Sequence, residues 1–231
     1  MSIQPPARPR PPRSLVLATA DEDDLRDGGV HRAVGFYDLA LTGRTAKGAE
    51  FVQCRFNRAD LAGTALIEAT LTDCLVEDTG LADLRADRCG LERVAVRGSR
   101  LTGLHWADGT LRDVTVRDCQ AAGSVYRGTA MRAVVFTATD LTGADFSGAD
   151  LSGAAFVRCD LSGARFTGAT ATGARFEACT LTSVDGLAGA TIAAQDLGEL
   201  SRLLAAGLGI SLEATAASPD PAPPGSPSAA R

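Results

Sequence analysis

Every fifth residue from Phe36 to Leu181 is apolar, thirty positions in succession without an insertion or a slip. All eight phenylalanines fall on this phase, as do Trp106, Tyr126 and Met131. A period of five fits neither the 3.6 residues of a helical turn nor the alternation of a strand. It describes a coil that turns a corner every five residues and stacks on itself. Aromatic residues make up only 5% of the chain while glycine is abundant at 25, which suits a narrow core of small and medium side chains.

The rest of the pentad supports this reading. Two positions before each apolar residue stands a small one from Ala49 onward (Cys54, Ala59, Thr64, Ala69, Cys74 and so on to Ala174 and Cys179), with Leu84 and Leu104 the clearest exceptions. Both positions can point inward in a tight coil. The other three carry nearly all the charge and face water. Glycine recurs two places after the apolar residue (Gly43, Gly63, Gly103, Gly123, Gly143, Gly163), where a turn with positive φ favours it.

With four pentads per turn, residues twenty apart lie above one another. One such column reads Phe36, Phe56, Val76, Val96, Val116, Phe136, Phe156, Phe176, and the next is leucine throughout from Leu41 to Leu181 except Ala121. Like stacks on like, as in repeat proteins whose coils contact only their neighbours. Seven to eight coils spaced about 4.8 Å apart make a rod roughly 36 Å long. The expected fold is an all-β parallel β-helix with four sides.

Four segments are expected. Residues 1–30 form a flexible Pro/Arg-rich arm with an acidic patch, Asp21 to Asp24. The repeat occupies 31–185. Residues 186–212 open with LAGATI and continue as a helix, on which Leu197, Leu200, Leu203 and Leu204 recur at helical spacing. Residues 213–231 are an Ala/Ser/Pro tail with too little apolar surface to fold. Arg8, Arg10 and Arg13 before Leu15–Leu17 and Ala18-Thr19-Ala20 loosely imitate a secretory leader. The apolar stretch is shorter than such a leader needs, and prolines crowd it. A cytoplasmic protein is expected.

No motif points to catalysis. Cys54, Cys74, Cys89, Cys119, Cys159 and Cys179 all sit on the small inward position, with no C-x-x-C pair to bind zinc. They read as core thiols used as small hydrophobes, and six free thiols favour a reducing compartment. His105 lies outward beside Trp106 with no nucleophile evidently paired to it. Asp60, Asp140, Asp145, Asp150 and Asp160 share the position before the apolar residue, Asp140 directly over Asp160. They imply an acidic surface and no cleft. Phosphate loops, triads and metal motifs are lacking, so no enzyme activity, cofactor or metal is expected.

Ala59-Asp60-Leu61, Ala144-Asp145-Phe146 and Ala149-Asp150-Leu151 resemble the A(D/N)Lxx unit of the pentapeptide-repeat family. That resemblance implies a right-handed quadrilateral parallel β-helix. The segment 186–212 is similar to the C-terminal end of the gyrase-protecting Qnr and MfpA group. This second resemblance implies a homodimer joined through Leu197, Leu200, Leu203 and Leu204, and a DNA mimic that binds DNA gyrase or topoisomerase IV and confers resistance to its inhibitors. Partner contacts would then fall on Asp140, Asp145, Asp150 and Asp160, with neither nucleic acid nor membrane bound directly.

Charge limits the analogy. From residue 31 to 185 the chain has 17 basic and 19 acidic residues, whereas duplex DNA of that length carries roughly twenty negative charges in all. The imbalance lies in residues 136–185, with six acids against three arginines. The unbroken frame leaves no room for projecting loops, and the corner after the leucine column is nearly uncharged (Thr42-Gly43, Ala62-Gly63, Thr102-Gly103). The alternative is an interaction scaffold for an unrelated protein, using that corner or the Arg-rich middle from Arg85 to Arg100.

Overall fold

A computed structural model describes residues 5–19, 25–207 and 209–210, without the side chains of Glu199 and Ala206. The acidic patch and the C-terminal tail lie outside the described residues. The chain winds as an all-β parallel solenoid of about nine turns, with one short helix near the C-terminus. Consecutive coils pair in a register of twenty residues: Phe36 opposite Phe56, Phe56 opposite Val76, and Phe51 opposite Leu71. We number the faces by the residue that opens each: face one at Phe36, two at Leu41, three at Ala46 and four at Phe51.

Backbone bonds run between coils, as required of a chain whose polar groups must be satisfied at every level. On face two, for example, Leu41 N–H donates to Asp60 O (2.7 Å) and Asp60 N–H to Leu39 O (2.8 Å). The corner falls two places after each apolar residue. There the backbone is left-handed at every corner from Asp38 to Ala178 except Gly153, with φ near 53° at Asp38, Arg93 and Asp118 and 67° at Gly143. A residue with a Cβ pays about 1 kcal/mol in that region, so glycine is the low-strain choice and aspartate a tolerated one. The sequence shows both.

The core is one continuous column of the apolar residues and their small neighbours. Aromatic rings stack along it in two blocks. Near the N-terminus Phe36 lies on Phe56 (4.7 Å) and His31 on Phe51 (5.0 Å). Towards the C-terminus Tyr126, Phe146 and Phe166 stack in one column and Phe136, Phe156 and Phe176 in another. Between the blocks the columns hold Val76, Ala86 and Val96, and an apolar cavity of about 80 Å³ remains there. Val96→Ile adds one methylene into that space without changing the branching at Cβ. The expected gain is about 0.8 kcal/mol, read as a higher midpoint in urea unfolding; a loss would mean that the coil cannot accept the extra volume.

The frame breaks at both ends. At the C-terminus Thr191–Ile192 pairs with Arg175 and Phe176, a step of sixteen residues instead of twenty. Gly186, at φ 80°, makes the shortcut, because a Cβ there would collide with Phe166 O. A helical turn, Ala194–Asp196, then leads into helix α1, Leu197–Gly207. At the N-terminus Val16–Leu17 adds a strand beside Val34–Gly35. In this structure the arm, over residues 5–19, lies against the rod, with the amides of Ala7, Arg10, Val16 and Ala18 bonded to acceptors on the coils.

Candidate interaction surfaces

The carboxylates before the apolar residue hold the corners together. Asp140 Oδ1 accepts the N–H of Thr142 (2.9 Å), Asp145 Oδ1 that of Ser147 (3.0 Å), Asp150 Oδ1 that of Ser152 (3.1 Å) and Asp160 Oδ1 that of Ser162 (2.9 Å). An acceptor reaching two residues on mimics a backbone turn. This gives the Asp of the repeat a structural role at each corner.

The four do not form one patch. Asp140 and Asp160 are adjacent on face two, whereas Asp145 lies on face three and Asp150 on face four. Asp145 is only 1% exposed. Its Oδ2 accepts from Arg127 Nε (2.6 Å) and Arg165 Nη2 (2.8 Å), one coil to either side. Burial pushes its pKa up, but the Ser147 hydroxyl and amide and the Arg127 guanidinium outweigh that and bring it down to about 2. An acid held in this way offers no free carboxylate to a partner, which corrects its expected part in an acidic contact surface. Asp140 and Asp160 are exposed and Asp150 half-buried.

Charges elsewhere pair from coil to coil. Asp38 meets Arg58 (2.6 Å), Arg88 meets Glu68 (2.9 Å), and Arg93 meets Asp73 (2.7 Å). The exposed pairs, Asp38–Arg58 and Glu68–Arg88, add little stability. They do cancel the field of the middle coils, so the equal count of acids and bases there is also neutral locally.

Face one carries an uncharged column that the sequence reading missed: Leu75, Thr115 and Val135 are half-buried, and Ala95 and Ala155 between and beyond them are buried. Reading outward positions at intervals of twenty, as was done for the core, would have found it. The four leucines of the end helix divide. Leu200 and Leu203 line a small hollow with Phe176, Leu181 and Ile192, closing the open end of the rod. Leu197 and Leu204 point away and are 61% and 46% exposed. Asp196 Oδ2 accepts the N–H of Ala178 (2.7 Å) and pins the helix to the last coil.

The cysteines stay inside. Cys54, Cys74, Cys89, Cys119 and Cys159 are buried and Cys179 is partly buried. Cys74 Sγ donates to Phe51 O (3.4 Å) and Cys89 Sγ to Leu66 O (3.4 Å). Burial pushes the thiols of Cys89 and Cys119 above their ordinary range, which disfavours the reactive thiolate. His105 lies outward, 3.9 Å from Asp87. Among the described residues no three His, Cys, Asp or Glu side chains converge as metal ligands, and no helix is long and apolar enough to cross a membrane.

Pentapeptide-repeat patterns match residues 36–74 and 117–153, with eight copies, and residues 136–185, with nine copies. Several solved structures are similar. One is HetL, a pentapeptide repeat protein involved in heterocyst differentiation regulation from the cyanobacterium Nostoc, at 17% identity over 64% of this chain and 87% of that one, TM-score 0.35. Another is a trypsin-treated form of QnrB1, a plasmid-mediated fluoroquinolone resistance protein, at 16% identity over 80% and 100%, TM-score 0.35. A third is Rfr23 from the cyanobacterium Cyanothece, at 12% identity over 72% and 90%, TM-score 0.19. No curated protein matches the chain. With its matched repeats and its twenty-residue coil register, the chain belongs to the pentapeptide-repeat family.

Proposed function

We propose that this chain is a non-enzymatic binding protein that offers the flank of a rigid rod to a protein partner, and that the partner is DNA gyrase or topoisomerase IV, engaged where duplex DNA would lie. The rod itself carries the reading: about nine turns give a body roughly 40 Å long, and its core cavity is lined by aliphatic and aromatic side chains, with no charged group to work on a substrate. The exposed pair Asp140 and Asp160 on face two supplies a short acidic strip near the C-terminal end. Leu197 and Leu204, exposed on the end helix, are the apolar residues from which a homodimer would be built.

The likeness to DNA is then mainly one of shape. Two stacked carboxylates fall far short of one charge per about 1.7 Å, so binding should respond only weakly to salt. In a gyrase supercoiling assay the protein is expected to inhibit supercoiling or to relieve inhibition by a quinolone. Reversing both charges, Asp140→Lys with Asp160→Lys, should weaken that effect about tenfold, the equivalent of roughly 1.4 kcal/mol. No change in activity or drug sensitivity with native protein would rule the topoisomerase out.

The second reading, a scaffold for an unrelated protein, is favoured by the uncharged column on face one. An uncharged strip, half-buried at Leu75, Thr115 and Val135, suits a protein contact more than the imitation of a polyanion. Loss of partner capture on Val135→Lys, with the supercoiling assay unaffected by native protein, would favour it.

A further inference from the structure

The N-terminal arm lies on the rod with a period of its own. Pro6, Pro9, Pro12, Leu15 and Ala18 are half-buried, and every residue between them is exposed. A three-residue period is that of polyproline II, which repeats every three residues at about 3.1 Å each. One turn of it therefore advances about 9.3 Å, and two coils of the rod advance about 9.6 Å. The two repeats are commensurate.

The hydrogen bonds follow that match. The arm runs along the corner between faces four and one, where Ala33, Gln53, Asp73, Arg93 and Asp113 stack. Ala7 N–H donates to Asp113 Oδ1 (2.9 Å), and three residues on, Arg10 N–H donates to Asp73 Oδ1 (3.1 Å), two coils away. Gln53 Nε2 donates in turn to Arg10 O (3.2 Å). The arm then joins the sheet, with Val16 N–H on Ala33 O and Ala18 N–H on Gly35 O, both 2.9 Å. Asp73 is fixed for this task by Arg93, whose Nε and Nη2 reach its two oxygens at 2.7 and 3.0 Å.

We propose that this corner, from Gln53 to Asp113, is a binding track for proline-rich segments in the polyproline II conformation, occupied in cis by the chain's own arm and entered by another arginine-bearing Pro-x-x-Pro segment when the arm is displaced. Recognition is through backbone amides and the packed prolines, so it selects conformation more than side-chain identity. Arg8, Arg10 and Arg13 remain exposed and add attraction towards the aspartates. The track lies on a different corner from the Asp140–Asp160 strip, so it stands or falls independently of the topoisomerase reading.

Two measurements test it. In native protein, hydrogen exchange should find the Ala7 and Arg10 amides protected, and Asp113→Ala, which removes the acceptor, should release Ala7. Exchange of both at free-peptide rates in native protein would overturn the docked arm. The second uses a fluorescein-labelled peptide of residues 5–17 and the full chain carrying Pro6→Gly, Pro9→Gly and Pro12→Gly, which loosens the arm and leaves the track intact. A tethered segment competes at millimolar effective concentration, so the peptide should bind this variant at least about tenfold more tightly than native protein. Adding Asp73→Ala to the variant, which removes the acceptor of the Arg10 amide, should abolish the difference. Failure of the peptide to bind the variant, or equal binding to both proteins, would refute the track.

Discussion

Replacing Phe146 by alanine is expected to cost about 4 kcal/mol, the largest effect of any single side-chain truncation in the rod. Phe146 is fully buried. Its ring stacks on Tyr126 (5.1 Å) and Phe166 (5.3 Å), and it meets Phe136 and Phe156 edge-on at 6.3 and 5.5 Å. Truncation removes the transfer energy of the ring and leaves a hole. It also breaks two stacked and two edge contacts at once, each worth about 0.5–1.5 kcal/mol beyond burial. The rod cannot close round the hole, because each coil is tied to its neighbours by backbone bonds on both sides. Urea unfolding of native and mutant protein would measure the loss. A cost under about 2 kcal/mol would mean that the ring blocks relax as a liquid core does, contrary to the close packing of protein interiors.

That expectation rests on a column that was visible before any coordinate. The five-residue period placed Phe146 inward, and the step of twenty placed it over Tyr126 and Phe166. A solenoid makes such legibility possible, since each inward residue meets its own counterpart one coil away and sequence distance converts directly into a contact. The same rule placed Asp140 over Asp160. It failed where the frame changes: nothing in the period foretells that Thr191–Ile192 pairs after sixteen residues, because the shortcut depends on the steric fit of Gly186 against Phe166.

The surface was less legible for a physical reason. Inward positions are fixed by volume, and every coil repeats that constraint. Outward positions are constrained only where something touches them. Asp145 shares the repeat position of Asp140, Asp150 and Asp160, and its sequence context hardly differs from theirs. Its burial arises from Arg127 and Arg165 on adjacent coils, an association visible only when face three is read across coils. The arm gave a signal that went unused: prolines at 6, 9 and 12 have the period of polyproline II, and composition alone suggested flexibility.

Asp145 provides the second large effect and one with a distinctive dependence on pH. Its side chain is 2% exposed, and its pKa is brought down to about 2. A carboxylate whose pKa is depressed in the folded protein contributes stability above its unfolded value and loses it as pH falls through the folded value. From an unfolded value near 3.9 the difference corresponds to about 2.5 kcal/mol at neutral pH, present in full above about pH 5 and gone below about pH 1. Asp145→Asn keeps an oxygen for the Ser147 amide but removes the charge facing Arg127 and Arg165, so it should cost about 2.5 kcal/mol at pH 7. Asp145→Ala also unties the corner and should cost about 3 kcal/mol, the arginines being exposed enough to recover water. The decisive reading is the gap between native and Asp145→Asn protein measured from pH 7 to pH 2. It should narrow steeply between about pH 4 and pH 2, whereas Asp140→Asn, at an exposed corner, should shift stability by less than about 0.5 kcal/mol throughout. A gap that stays constant with pH would show that Asp145 acts only as a turn acceptor, and that the ion pairs spanning three coils contribute nothing to the rod.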